Sequence, residues 1–594
     1  MRFICHLFII SLSHIITTYI THTFTIIFIT MNPIDTIMMI LLTIGVLSAG
    51  MAFSKQGKNI TSFFAAGGAV PWQTSGLSLF MSFFSAGTFV VWGSVAYLHG
   101  WVAISIQWTM ALAGLLVGTW IAPRWHRTGS LTVAEYIDKR LGVHIQKTYT
   151  FLFLFISLFL TASFLYPVAK IVEVSTALNL NLCIILLGVF CILYVSAGGL
   201  WAVVSTDVLQ FFILMAAIII VVPLSLERID GLNALLSQLP SRYFQLTVNE
   251  YPLLFILAFG LYNAIFLGGN WAYVQRFTCV RTTTDAKRVG WFFAALYFVS
   301  PILWMLPPMV YYLLNPSLSV MESEGAYLMM CKEVLPKGIL GLMIGGMIFA
   351  TTSAMNSKLN IASGVVTNDL YKRLYPHSSQ RRLMLVARLS TVAFGVISIL
   401  IALLIQHMGG VVNVVISLAA LTGVPLYLPV IWTLFSRRQT GSTVLATTIT
   451  TLMVNVVFKF AVPVLTGFTF SHTGEMVFGC ALPIIMLAAF EIYFILTGKT
   501  SNRYAEYAAW EQANNAKRNA LTAQAQAEAK SENTYSKRII GLGISFIGLA
   551  IALLGLLSEG HTMLVTGTGA CFMLIGVALT WSIKKTMKTR TSND

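Results

Sequence analysis

The chain has 594 residues, of which 57% are hydrophobic and 10% charged, and its mean hydropathy is +0.80. Ordinary soluble domains are about one quarter charged, so this composition excludes a water-covered surface and points to one large helical bundle facing lipid. The net charge of +16 lies in short clusters between apolar runs, which is the positive-inside pattern of membrane proteins and not the footprint of a nucleic-acid binder.

The first thirty residues are rich in Ile, Thr, Phe and His and lack a small-residue cleavage site. Met31-Asn32-Pro33-Ile34-Asp35 reads as a more ordinary start. Residues 1–30 are therefore either a start placed too early or an additional hydrophobic segment. A membrane helix needs roughly 20 apolar residues. After Met31 about fifteen such runs follow, near 35–53, 75–97, 102–122, 147–170, 178–197, 202–225, 251–270, 289–314, 337–366, 384–407, 411–435, 441–465, 475–497, 538–557 and 562–583.

Basic residues fall on alternate connections: Lys55 and Lys58, then Arg124 to Arg140, Arg276 to Arg288, Lys372 to Arg382, and Arg437 with Arg438. Lys499 to Arg538 and Lys584 to Arg590 complete the series. The expected topology is a multi-pass protein of the cell membrane, with Met31 outside and the C-terminus in the cytoplasm. Residues 498–537 read as a polar cytoplasmic segment, 538–583 as two additional C-terminal spans and 584–594 as a basic tail. The sequon Asn59-Ile60-Thr61 lies on the cytoplasmic side in this topology and is read as chance.

The seven cysteines, from Cys5 to Cys571, form no CxxC pair. They read as small hydrophobes. No phosphate-binding loop, HExxH motif or nucleophile elbow is present. The chain is thus expected to be no enzyme and to carry no cofactor. Without a nucleotide site, uphill transport requires an ion gradient. The expected partners are the lipid bilayer and a small-molecule solute; the oligomeric state is left open.

Small and hydroxyl residues crowd the second run: Gly76, Ser78, Ser82, Ser85, Gly87 and Thr88. They suit a helix that unwinds at the membrane midplane. Four blocks then share one order and spacing. They are Phe63 to Gly142, with Thr132-Val133-Ala134-Glu135-Tyr136; Gly198 to Gln210, with Ser205-Thr206-Asp207; Asn270 to Arg276; and Ser353 to Tyr371. Together they resemble the sodium:solute symporter family, of the sodium/glucose cotransporter type, over residues 31–497.

The resemblance implies an all-α, leucine-transporter-type fold with two inverted five-helix repeats, here about 75–225 and 251–435, each led by a broken helix. Gly260, Asn263, Gly268, Gly269 and Asn270 form the expected unwinding stretch of the second repeat. It also implies Na⁺ as the coupling ion. The carbonyls of Met81, Phe84 and Ala350 and the hydroxyl of Ser353 are then its ligands, as hard cations prefer oxygen. The family's second hydroxyl falls on Ala354, which has none; a small helix shift would present Thr352. Asp207 matches an acidic residue of the ion's cytoplasmic path, against the reading of a helix-entry charge.

Lys358 follows Ser353 by five residues, about 140° round the helix. It is read either as a coupling residue, its ammonium replacing a cation or carrying a proton, or as a lysine that snorkels to cytoplasmic water. The resemblance places the solute beside Thr88 and Gln107, with Asn270, Trp271 and Tyr273 as candidates on the second broken helix. Trp271 also fits an interfacial aromatic belt, and Lys170 with Glu173 fits a helix-surface pair. The expected function is secondary active import of a small polar solute by alternating access, coupled to sodium. The alternatives are a proton-coupled or uncoupled transporter of the same fold, and a transporter-derived membrane sensor.

Overall fold

The computed structural model describes residues 32–53, 70–130, 132–176, 178–194, 200–408, 410–519, 523–558 and 560–591. The expectations for residues 1–30 and the Asn59 sequon fall outside them, as do the starts of the blocks at Phe63 and Gly198, the last three residues of the tail and the Ser353 side chain. Among the described residues the chain is helical throughout, apart from one parallel bridge between Val70 and Val280. Helices lie at each of the predicted runs. Among the described residues ten are long and apolar enough to cross a membrane, eleven with the bent pair Leu253–Gly269 and Trp271–Thr278, fewer than the expected number of spans.

Two groups of helices carry the architecture. The first holds the leading broken helix, Trp72–Met81 with Gly93–His99, together with Val102–Leu116, the bent pair and Thr283–Leu314. Its helices approach closely because small residues meet: a Cβ on Gly290 would lie 2.5 Å from the Gly118 Cα. Such contacts replace the hydrophobic effect where the surrounding solvent is itself apolar. The second group holds Val143–Ser175, Leu180–Tyr194, Ile339–Val365 and Gln380–Leu404. The members of each group occupy matching positions in the two predicted repeats.

Ile339–Val365 packs on Pro33–Phe53, Val143–Ser175, Leu200–Glu227 and Gln380–Leu404. Its start is tied down by Asp35, whose Oδ1 accepts from the Gly338 amide at 2.7 Å and the Gly341 amide at 2.8 Å. A carboxylate suits a helix N-terminus, where amides lack intrahelical partners. In the connection before this helix, Glu324 accepts from the Val411 amide at 2.9 Å and the Tyr166 hydroxyl at 3.2 Å. Burial pushes the Glu324 carboxyl above the usual range, while the Val411 bond opposes the shift.

The polar segment after Leu496 begins as the helix Asn502–Asn519. It lies on Val133–Leu141, where fully buried Arg140 sits 5.1 Å from the Tyr504 ring and donates to Ser436 O at 3.0 Å. Asn514 donates to Gly129 O at 2.8 Å. The final hairpin, Lys537–Leu557 and Thr562–Trp581, packs on Leu200–Glu227; its last helix runs on to Thr591, into the stretch read as a tail.

Asp35→Ala leaves two helix-start amides without a protein partner and is expected to cost about 2 kcal/mol. The check is the unfolding midpoint of the purified protein by scanning fluorimetry, with Asp35→Asn retaining part of the loss.

Candidate solute and ion site between two broken helices

The leading helix stops at Met81 and resumes as a π-helical turn at Thr88–Trp92. Thr88 holds the gap open: its Oγ1 accepts from the Ser85 amide at 3.3 Å and donates to Phe83 O at 2.8 Å. The Ser85 amide would otherwise close the helical bond to Met81 O. The Thr88 amide, the helical donor for Phe84 O, donates instead to Ser85 O at 2.9 Å. Both carbonyls expected to face the ion are thereby released from the ladder. The Ala86 amide is held by Thr351 Oγ1 at 3.1 Å, which docks Ile339–Val365 against the break.

The second break falls at Asn270, with a 60° bend. Asn270 Oδ1 accepts from the Ala272 amide at 3.0 Å and so caps the second segment. Its Nδ2 donates to the Tyr427 hydroxyl at 3.1 Å. Trp271 stacks on Phe153, with ring centroids 4.4 Å apart.

Beyond the breaks, Trp72–Met81 and Trp271–Thr278 are fastened together. Ser75 donates to Arg276 O at 2.8 Å. Ser78 donates to Asp207 Oδ2 at 2.6 Å while accepting from Arg276 Nε at 3.3 Å. Arg276 and Asp207 are both buried, 3.9 Å apart. Three helices therefore meet at one charge pair.

A cavity of about 150 Å³ lies between the breaks. Thr88, Gln107 and Tyr273 line it; Asn270 and Trp271 do not. Asn270 serves the backbone and the Tyr427 hydroxyl, and Trp271 is stacked on Phe153. The Thr352 hydroxyl donates to Ile348 O at 2.7 Å and meets Cys191 Sγ, while Thr351 faces the break. Ala350 is buried on the same helix. Asp207 is enclosed with Arg276 and is no exposed helix-entry charge. Lys170 and Glu173 pair at 2.8 Å outside the cavity.

The sequence reading missed three features. Phe164 lines the cavity, and Lys358 Nζ lies 3.2 Å from its ring centroid. Ala419–Gly423 forms a second π-helical turn in the cavity wall. A Cβ on Gly423 would come 2.1 Å from the Tyr262 ring. Asn455 supports this turn by donating to Ala420 O at 3.3 Å and Leu421 O at 3.2 Å. A small residue at 423 within an apolar run was the one signal in the sequence.

Among known proteins, a model of the sodium:solute symporter family matches residues 63–451. The sodium/glucose cotransporter of Vibrio parahaemolyticus is 26% identical over 385 residues, 59% of this chain and 70% of that protein. Sodium/myo-inositol cotransporter 2 of Mus musculus is 29% identical over 424 residues, 64% of this chain. The chain spans 63% of the mouse protein's length, under two thirds of it. A solved Na⁺-coupled sialic acid symporter, in a substrate-bound outward-open state, superposes with a TM-score of 0.65 at 22% identity, covering 77% of this chain and 97% of that one. That likeness establishes the fold, and the relatives are transporters and not enzymes. By the match to well over half its length, this chain belongs to the sodium:solute symporter family.

Proposed function

We propose that the chain imports a small polar solute by alternating access, driven by Na⁺. The observation that carries this reading is the pair of released carbonyls, Met81 and Phe84, beside the Ala86–Thr351 bond and the cavity. A hard cation at that break has carbonyl oxygens to replace its water. The energetics suffice: 100 mV contributes about 2.3 kcal/mol per charge, and a tenfold Na⁺ gradient about 1.4 kcal/mol. One ion can then concentrate a neutral solute a few hundred-fold. In this reading the two halves of the site belong to inverted repeats, the basic loops face the cytoplasm, and the Arg276–Asp207 pair closes the cytoplasmic side.

A second reading keeps the fold and replaces Na⁺ coupling by protons or by none. Ala354 removes a hydroxyl from the ion site. Lys358 lies seven residues beyond Thr351, about 20° from the same helix face and about 10 Å along it. Its ammonium rests on Phe164, which lines the cavity.

Uptake into vesicles, with Na⁺ and pH gradients imposed separately over a panel of sugars, carboxylates, nucleobases and amino acids, separates the two. Accumulation is expected to follow the Na⁺ gradient; uptake that ignores Na⁺ removes the first reading. Ala354→Ser is expected to lower the half-saturating Na⁺ concentration roughly tenfold, about the 1.5 kcal/mol of one hydroxyl bound to a charge.

Asp207→Asn leaves Arg276 buried without its counter-charge. A loss of about 3 kcal/mol in stability is expected, with weaker Na⁺ dependence of uptake. A lower unfolding midpoint with unchanged Na⁺ half-saturation would confine Asp207 to a structural role.

A further inference from the structure

We infer that the solute is uncharged and flat, with an apolar body and a cyclic amide or imide edge. This rests on the central cavity being the solute site. Among the described residues no charged side chain lines that cavity. A carboxylate or ammonium entering it would lose its hydration without gaining a counter-charge from any lining side chain, which costs several kcal/mol or more. Lys358 does not line the cavity; its ammonium lies over the ring of Phe164, which does.

Nine aromatic side chains form the wall. Phe83 and Tyr273 lie 4.4 Å apart between centroids, and Tyr262 stacks on Phe266 at 5.3 Å. Flat rings stack on such surfaces with about 0.5–1.5 kcal/mol beyond the area they bury. A sugar or polyol presents hydroxyls around its whole rim. Each one buried against ring carbons without a partner costs about 1–3 kcal/mol.

The polar atoms on the wall narrow the chemistry further. Three threonine and serine hydroxyls are committed to backbone carbonyls, Thr88 to Phe83 O, Ser163 to Phe159 O and Thr422 to Leu418 O, and the Tyr427 hydroxyl is held by Asn270; Ser85, Tyr262, Tyr273 and Tyr297 also line the wall. The Gln107 carboxamide is 3% exposed, lines the cavity and makes no protein hydrogen bond among the described residues. It offers a donor and an acceptor side by side, the pattern with which a glutamine reads the edge of a nucleobase. A lactam or imide presents the complementary N–H and C=O. Asn263 Nδ2 is tied to Thr109 Oγ1 at 2.8 Å, leaving its Oδ1 as a further acceptor.

The test is equilibrium binding to the purified full-length protein in lipid nanodiscs, in NaCl and in choline chloride. Unfolding midpoint and tryptophan fluorescence are the readouts, Trp92 being part of the wall. Uracil and succinimide are the imide probes, glucose and myo-inositol the polyols, and N-acetylneuraminate the carboxylate. The imides are expected to raise the midpoint, the other probes to leave it unchanged. Gln107→Leu and Gln107→Glu are expected to weaken imide binding at least tenfold. Gln107→Glu preserves the side chain's size and so guards against loss of folding in the leucine variant. Tighter binding of a polyol or of N-acetylneuraminate would overturn the inference. So would unchanged imide binding in a folded Gln107 variant, or no imide shift in protein that unfolds cooperatively. Na⁺-driven myo-inositol uptake would overturn it while leaving the transport reading intact. Imide binding without uptake under any gradient would do the reverse.

Discussion

Hydrocarbon offers no hydrogen bonds, so every amide and carbonyl freed by a broken membrane helix must find a partner within the protein. The site depends on how that demand is met. Thr88 takes the Ser85 amide, Thr351 takes the Ala86 amide, and Asn270 takes the Ala272 amide. Donors are capped by side chains, while the carbonyls of Met81 and Phe84 lose their usual helical donors. The asymmetry follows from chemistry: hydroxyl and amide oxygens satisfy N–H groups, and a cation is the natural partner for the carbonyls that remain.

The same constraint explains why helices beyond the predicted repeats matter. The π-helical turn Ala419–Gly423 lies in the cavity wall and disturbs its own ladder. Asn455, on Gly441–Val456, answers by donating to two of its carbonyls. Gly479, on His472–Leu496, lets that helix come close enough that a Cβ would lie 2.2 Å from Ala420 O. Both supports come from outside residues 251–435. The cavity is therefore a property of a larger assembly than the ten helices of the two predicted repeats.

The fold was largely legible because long apolar runs and alternating basic loops are coarse signals that survive an error of several residues. The breaks were legible too, from Gly268-Gly269-Asn270 and the serines before Thr88. The roles of individual polar residues were not. In an apolar run, a threonine that serves the backbone and one that serves a ligand look alike, and Thr88 serves the backbone from within the cavity wall. Choosing between Thr351 and Thr352 needed the rotation of one helix, a matter of 100°, which tertiary packing sets. Asn455 serves a turn on another helix, 34 and 35 residues before it, and only contact reveals its part.

Asn270 carries one last consequence. One nitrogen and one oxygen of the same carboxamide hold the bend and the Tyr427 hydroxyl, and Tyr427 lines the cavity. The bend and the cavity wall therefore share one planar carboxamide, with no chain of intermediaries between them. Removing that side chain would leave both the cap and the Tyr427 hydroxyl without their partner at once.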